Sequence, residues 1–160
     1  MTNLARVRWP SVLLWGFCLF LATLSGVEGL SADLKFRAQL IWATDEEKPK
    51  DKPKIKELDP KLRDKLRNCK VFRWKNFYEI DQENFKVADK GSKITSVSRK
   101  CVIEVTHLGG CVIEVKLYGE GTLVSTVRHS LPKGEYLIIS GDVKDKTTDA
   151  WLVALSQVDQ

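Results

Sequence analysis

The sequence is poor in the residues that carry chemistry. Its 160 residues include two histidines, His107 and His129, and these are not at metal-ligand spacing from each other or from a cysteine. No glycine-rich phosphate loop, nucleophile elbow or Cys-x-x-Cys pair occurs. These gaps predict a protein that is not an enzyme and that holds no cofactor and no metal. Extremes of composition are missing too. At 43% hydrophobic, 29% charged and 9% aromatic residues, the chain is neither disordered, collagen-like nor a multi-span membrane protein.

What is present begins at the N-terminus. Arg6 and Arg8 precede an uncharged, mostly apolar run over 12–24, small residues follow, and the first acid is Glu28. This is the three-part layout of a secretory signal, with cleavage expected after Gly29. The alternative is an uncleaved anchor, because 10–27 falls just short of the roughly 20 apolar residues that span a bilayer. The expectation is an exported protein, periplasmic or extracellular, whose residues 30–160 form one domain. A membrane enters only if the leader stays attached.

Removing 1–29 leaves 24 basic and 20 acidic residues, and the positive charge is regional: 48–75 holds twelve Lys or Arg against four Asp or Glu. Such a stretch attracts polyanions. For an exported chain, an anionic envelope polymer, a lipid headgroup or a protein partner suits it better than nucleic acid. Three cysteines remain, Cys69, Cys101 and Cys111, an odd count where disulfides persist.

Leu34, Phe36, Ala38, Leu40 and Trp42 alternate with Lys35, Arg37 and Gln39, the period of a half-buried strand. The segment 45–57 is rich in lysine, acids and proline and reads as an extended, solvated loop. Asp59 and Pro60 form an N-cap with proline at the first helical position, and Leu58, Leu62 and Leu66 share one face, predicting a two-turn helix to about Asn68. Period two returns from Lys70 to about Ile80. A hairpin is expected over 85–98, turning at 89–92. Strands follow at 101–106, 111–118, 123–130, 136–140 and 150–156. Short strands joined by tight turns predict an antiparallel β-sandwich, with a small β-barrel carrying an apolar ligand as the alternative.

The pentapeptide Cys-Val-Ile-Glu-Val occurs at 101–105 and at 111–115, and reads as the two strands of one hairpin. For the apolar positions to share a face, Val105 must lie opposite Cys111 or Ile113, with a five- or three-residue loop. Either register parts Cys101 from Cys111 by roughly 13 to 20 Å, beyond the ~7 Å limit of a disulfide. That leaves Cys69 with Cys101 or Cys111, or three reduced thiols packed as small hydrophobes. The same registers bring Glu104 near Glu114, opposed or diagonal, a spacing that a glycoside-hydrolase-like enzyme could use. Both glutamates alternate with core positions, beside Lys100 and Lys116, and so read as a solvated face.

The best candidate for a binding surface is 61–78. Lys61, Arg63, Lys65, Arg67, Lys70, Arg73 and Lys75 interleave with Phe72, Trp74, Phe77 and Tyr78, a pattern suited to an anionic partner, though Phe72 and Trp74 share a face that is expected to be core. The alternative is a solvated basic face. Later, Leu131-Pro132-Lys133-Gly134-Glu135-Tyr136 resembles the Leu-Pro-x-Gly-x-Tyr corner of several immunoglobulin-like and carboxypeptidase-regulatory-like sandwich domains. The resemblance implies a sandwich and nothing about function.

Overall fold

The computed structural model describes residues 33–48, 55–141 and 149–159. The expected leader at 1–29 and the middle of the lysine-rich loop, 49–54, lie outside the described residues. In chain order the elements are β1 (Leu34–Thr44), β2 (Lys56–Glu57), α1 (Pro60–Asn68), β3 (Asn76–Val87), β4 (Ser92–Ser98), β5 (Cys101–Gly109), β6 (Val112–Gly119), β7 (Thr122–Ser130), β8 (Tyr136–Ser140) and β9 (Ala150–Val158). They form two antiparallel sheets, β2-β3-β1-β9-β8 and β4-β5-β6-β7. The chain changes sheet between β3 and β4 and again between β7 and β8, and no ladder joins those pairs. The expected β-rich architecture is therefore present, but the alternative of a closed barrel is not.

Alternation sets which side chains meet between the sheets. Phe36, Ala38 and Leu40 of β1, Val153 and Leu155 of β9, and Ile103, Val105, Ile113, Val115 and Leu117 of β5 and β6 form one buried core. Phe36 and Phe85 are directly opposed and their ring centroids lie 5.8 Å apart, a contact that adds about 0.5–1.5 kcal/mol to simple burial. Bulges re-aim three apolar residues. Ile80 in β3, Val97 in β4 and Val124 in β7 each stand unpaired at a register shift, as expected where a strand must bend at a sheet border.

The opposite face of the five-stranded sheet carries a second core. The Asp59 carboxylate accepts from the backbone N–H of Lys61 at 3.0 Å and of Leu62 at 3.4 Å, and Pro60 opens the helix. Leu62 and Leu66 then pack, fully buried, on Ile41, Ala43, Phe77 and Leu152. Burying each leucine contributes about 1.5–3 kcal/mol. The layer covers half of the sheet, the half toward the C-terminal end of β1.

Four expectations need correction. The strand read over 70–80 starts at Asn76 and runs on to Val87, because Phe72 and Trp74 fold as coil against the helix core. The hairpin expected over 85–98 is a corner: Gly91 N–H donates to Ala88 O, and the strands on either side join different sheets. In the 45–57 segment Ile55 is buried, and Lys56–Glu57 pair with β3 as a short strand. Finally, Val105 lies opposite Val115. The extra residue Leu108 bulges between His107 and Gly109, which shortens the connection to Gly110 and Cys111 and keeps the predicted face while moving the partner.

Candidate functional site

The basic residues of 61–78 are divided by the fold. Lys61 Nζ donates to Gly134 O at 2.6 Å, and Lys65 Nζ lies 3.1 Å from Glu135 Oε2. Both fasten α1 to the 131–136 corner, where Gly134 takes a φ of +80° that favours glycine. Arg63 reaches Glu57 at 3.8 Å. Arg67, Lys70, Arg73 and Lys75 are exposed and make no side-chain ion pair among the described residues. Tyr78 belongs to the other face of the sheet, where its ring lies 5.8 Å from that of Trp42.

A second basic cluster has no counterpart in a sequence run. On the uncovered half of the outer face, Lys35 lies directly opposite Lys86, and Arg37 lies opposite Asn84 and donates to its Oδ1 at 3.2 Å. The two β1 cations stand roughly 7 Å apart along the strand. With Lys133 and Tyr136 they line a shallow groove of about 650 Å³ whose acid is Asp159, 3.4 Å from Lys133 Nζ. Burial raises the Tyr136 hydroxyl above the usual phenol range, with nearby Asp59 adding to the shift and Arg37 opposing it. Like charges directly opposed in a ladder are unfavourable, and an anion in the groove would relieve them.

The carboxylates of the 101–119 hairpin point to solvent. Glu104 faces Lys116 across the ladder and accepts from its Nζ at 3.3 Å, from Tyr118 Oη at 3.3 Å and from Ser92 Oγ at 3.4 Å. The Lys116 hydrogen bond is the main reason why its carboxyl lies below the ordinary range. A glycosidase acid needs the opposite shift. Glu114 lies diagonal to it, opposite Thr106 and Arg128.

Cys69, Cys101 and Cys111 are free thiols, so the pairing of Cys69 with Cys101 or Cys111 is not formed. Cys69 caps α1 on the outer layer, whereas Cys101 and Cys111 flank the opposite sheet. The thiols are not uniformly buried either, since Cys111 is exposed. His107 is 4% exposed, with Nε2 3.0 Å from Gly110 O and Nδ1 3.3 Å from Asp89 Oδ1. The latter is a close approach of the ring to a carboxylate without hydrogen-bond alignment. Among the described residues no group of His, Cys, Asp or Glu is placed to hold a metal, and no helix is long and apolar enough to cross a membrane.

Comparison of the chain with protein-family models, curated proteins and solved structures finds no match. The functional reading therefore rests on geometry.

Proposed function

We propose that the protein is an exported, non-enzymatic binding module that grips an anionic polymer of the cell envelope or secreted space along the groove of Lys35, Arg37, Lys86 and Lys133. The observation that carries this reading is the direct opposition of Lys35 and Lys86 with no acid paired to either among the described residues. An extended acidic chain fits an open, shallow groove whose charges are spaced along a strand, and Tyr136 offers it a half-buried ring. The exposed bases Arg67, Lys70, Arg73 and Lys75 widen the attractive field.

The test is binding to a carboxylated or sulfated polysaccharide across a salt series. Affinity falls steeply with ionic strength, and the paired reversal Lys35→Glu with Lys86→Glu weakens it at least tenfold. Reversing Arg73 and Lys75 weakens it less. Binding that ignores salt, or that survives reversal at Lys35 and Lys86, overturns the proposal.

A further inference from the structure

The groove lies on the outer face of the five-stranded sheet. Its inner face carries a different feature. At the end of the inter-sheet space remote from His107, the two sheets part around a cleft of about 1000 Å³. Leu40, Val153 and the bulged Ile80 line it from one sheet, and Cys101, Leu117 and the bulged Val124 from the other. None of these side chains offers a strong hydrogen-bond partner, so a sugar or a charged group cannot be satisfied at depth.

The mouth is built differently. Trp151 lines it, at the end of a row of consecutive cross-strand partners, Tyr78, Trp42 and Trp151, over β3, β1 and β9. Alternation puts all three on the inward face, since Phe77, Ile41, Ala43 and Leu152 point into the helix layer. Trp151 is 55% exposed, a large apolar area for a ring at the rim of an apolar cleft. The rim charges are mixed. Lys100 Nζ is 2.6 Å from Glu120 Oε1, Trp42 Nε1 donates to Asp149 Oδ2 at 2.8 Å, and Arg99 and Asp81 add one charge of each sign. Two bases stand against three acids there, a net charge of −1 that disfavours an anionic headgroup, while donors and acceptors for a hydroxyl are both at hand.

We propose that this cleft binds a neutral single-chain amphiphile, such as a fatty alcohol or a monoacylglycerol, with its tail between the sheets and its hydroxyl head at the rim. The volume falls in the range of small-molecule sites, and apolar walls with a few polar groups at one end are the usual composition of such sites. The site is separate from the basic groove and does not depend on the function proposed for it.

Displacement of the neutral dye N-phenylnaphthylamine from the full chain tests this. Dodecanol and monododecanoylglycerol are expected to displace it saturably, one per protein, with affinity unchanged by salt. Cys101→Phe and Ile80→Trp, which fill the cleft from opposite walls, are expected to weaken binding at least tenfold without changing attachment to the polysaccharide. Should both fail to fold, Trp151→Ala, at an exposed position, is expected to weaken binding severalfold and to remove a ligand-induced change in tryptophan fluorescence. The proposal is overturned if the unsubstituted protein shows no saturable displacement. It is equally overturned if the folded filling variants bind undiminished, if Trp151→Ala changes neither readout, or if dodecanoate or dodecyltrimethylammonium binds as tightly as dodecanol.

Discussion

Between the sheets, the same strands build one end that is shut and one that is open. In the β5–β6 ladder the opposed inward pairs run from His107 with Ile113, through Val105 with Val115 and Ile103 with Leu117, to Cys101 with Gly119. Side-chain volume falls away at the last step. The shut end adds Phe36, Phe85 and Val87, and His107 ties it to the turns above through Asp89 and Gly110. At the open end stand Gly119 of β6 and Gly141 just after β8, both in contact range of Val124 for any added Cβ. Packing at one end and space at the other thus come from residue size at matched positions together with the bulges at Ile80 and Val124, where the pairing shifts. The outer face repeats the division. α1 covers the half over the open end, and the basic groove occupies the half over the shut end.

If that contrast is sound, truncation at the two ends should have very different effects. Phe36→Ala removes a fully buried ring with its stacked partner and is expected to lower stability by about 3–5 kcal/mol. Val124→Ala, at a position 42% exposed, should stay within about 0.5 kcal/mol. Denaturant midpoints of the two variants measure this directly, and comparable losses would break the comparison. His107→Ala comes next. It empties the space of a ring that is 4% exposed and removes its contact with the Gly110 carbonyl, and a loss of about 1–3 kcal/mol is expected from the cavity left in the packed end.

Much of this was legible in the sequence, and the illegible part has a common cause. Alternation along 34–42 located β1, and Asp59, Pro60 and the leucines at 58, 62 and 66 located the helix and its buried face, because these signals are local. The predicted face of the Cys-Val-Ile-Glu-Val hairpin was right and its partner was wrong, since one bulged residue at Leu108 shifts register without disturbing period. Nothing local announces that Ile80 or Val124 bulges. The basic run at 48–75 was conspicuous, yet Lys61 and Lys65 turned out to fasten the helix. Lys35 and Lys86 lie 51 positions apart and meet only through the β1–β3 ladder. The aromatic row of Tyr78, Trp42 and Trp151 is assembled in the same way from three strands.

The glycine at 141 offers a finer probe of the open end. A Cβ there would stand 2.9 Å from Val124 Cγ1, closer than two carbons tolerate. Gly141→Ala is therefore expected to destabilise by about 1 kcal/mol. The same change made in a Val124→Ala background should be nearly silent, giving a coupling of similar size in a double-mutant cycle. Additive effects would mean that Val124 does not close this border of the cleft.

The smallest effect is expected at the rim itself. The hydrogen bond and ion pair between Lys100 and Glu120 hold the Glu120 carboxyl below, and the Lys100 ammonium above, their ordinary ranges of about 4.5 and 10.5. For Glu120 the contribution is complete above about 4.5 and is lost as pH falls through the lowered value; for Lys100 it is complete below about 10.5 and lost as pH rises through the raised value. The pair therefore acts throughout the neutral range. Both groups are fully solvated, so water and salt screen most of what it contributes. Glu120→Gln should leave the denaturant midpoint at pH 7 close to that of the unsubstituted protein and flatten slightly its decline between pH 5 and pH 3. If the substitution instead destabilised the protein at pH 7 as much as His107→Ala does, the open end would be held by its rim, and the contrast between a packed end and an unfilled one would have to be given up.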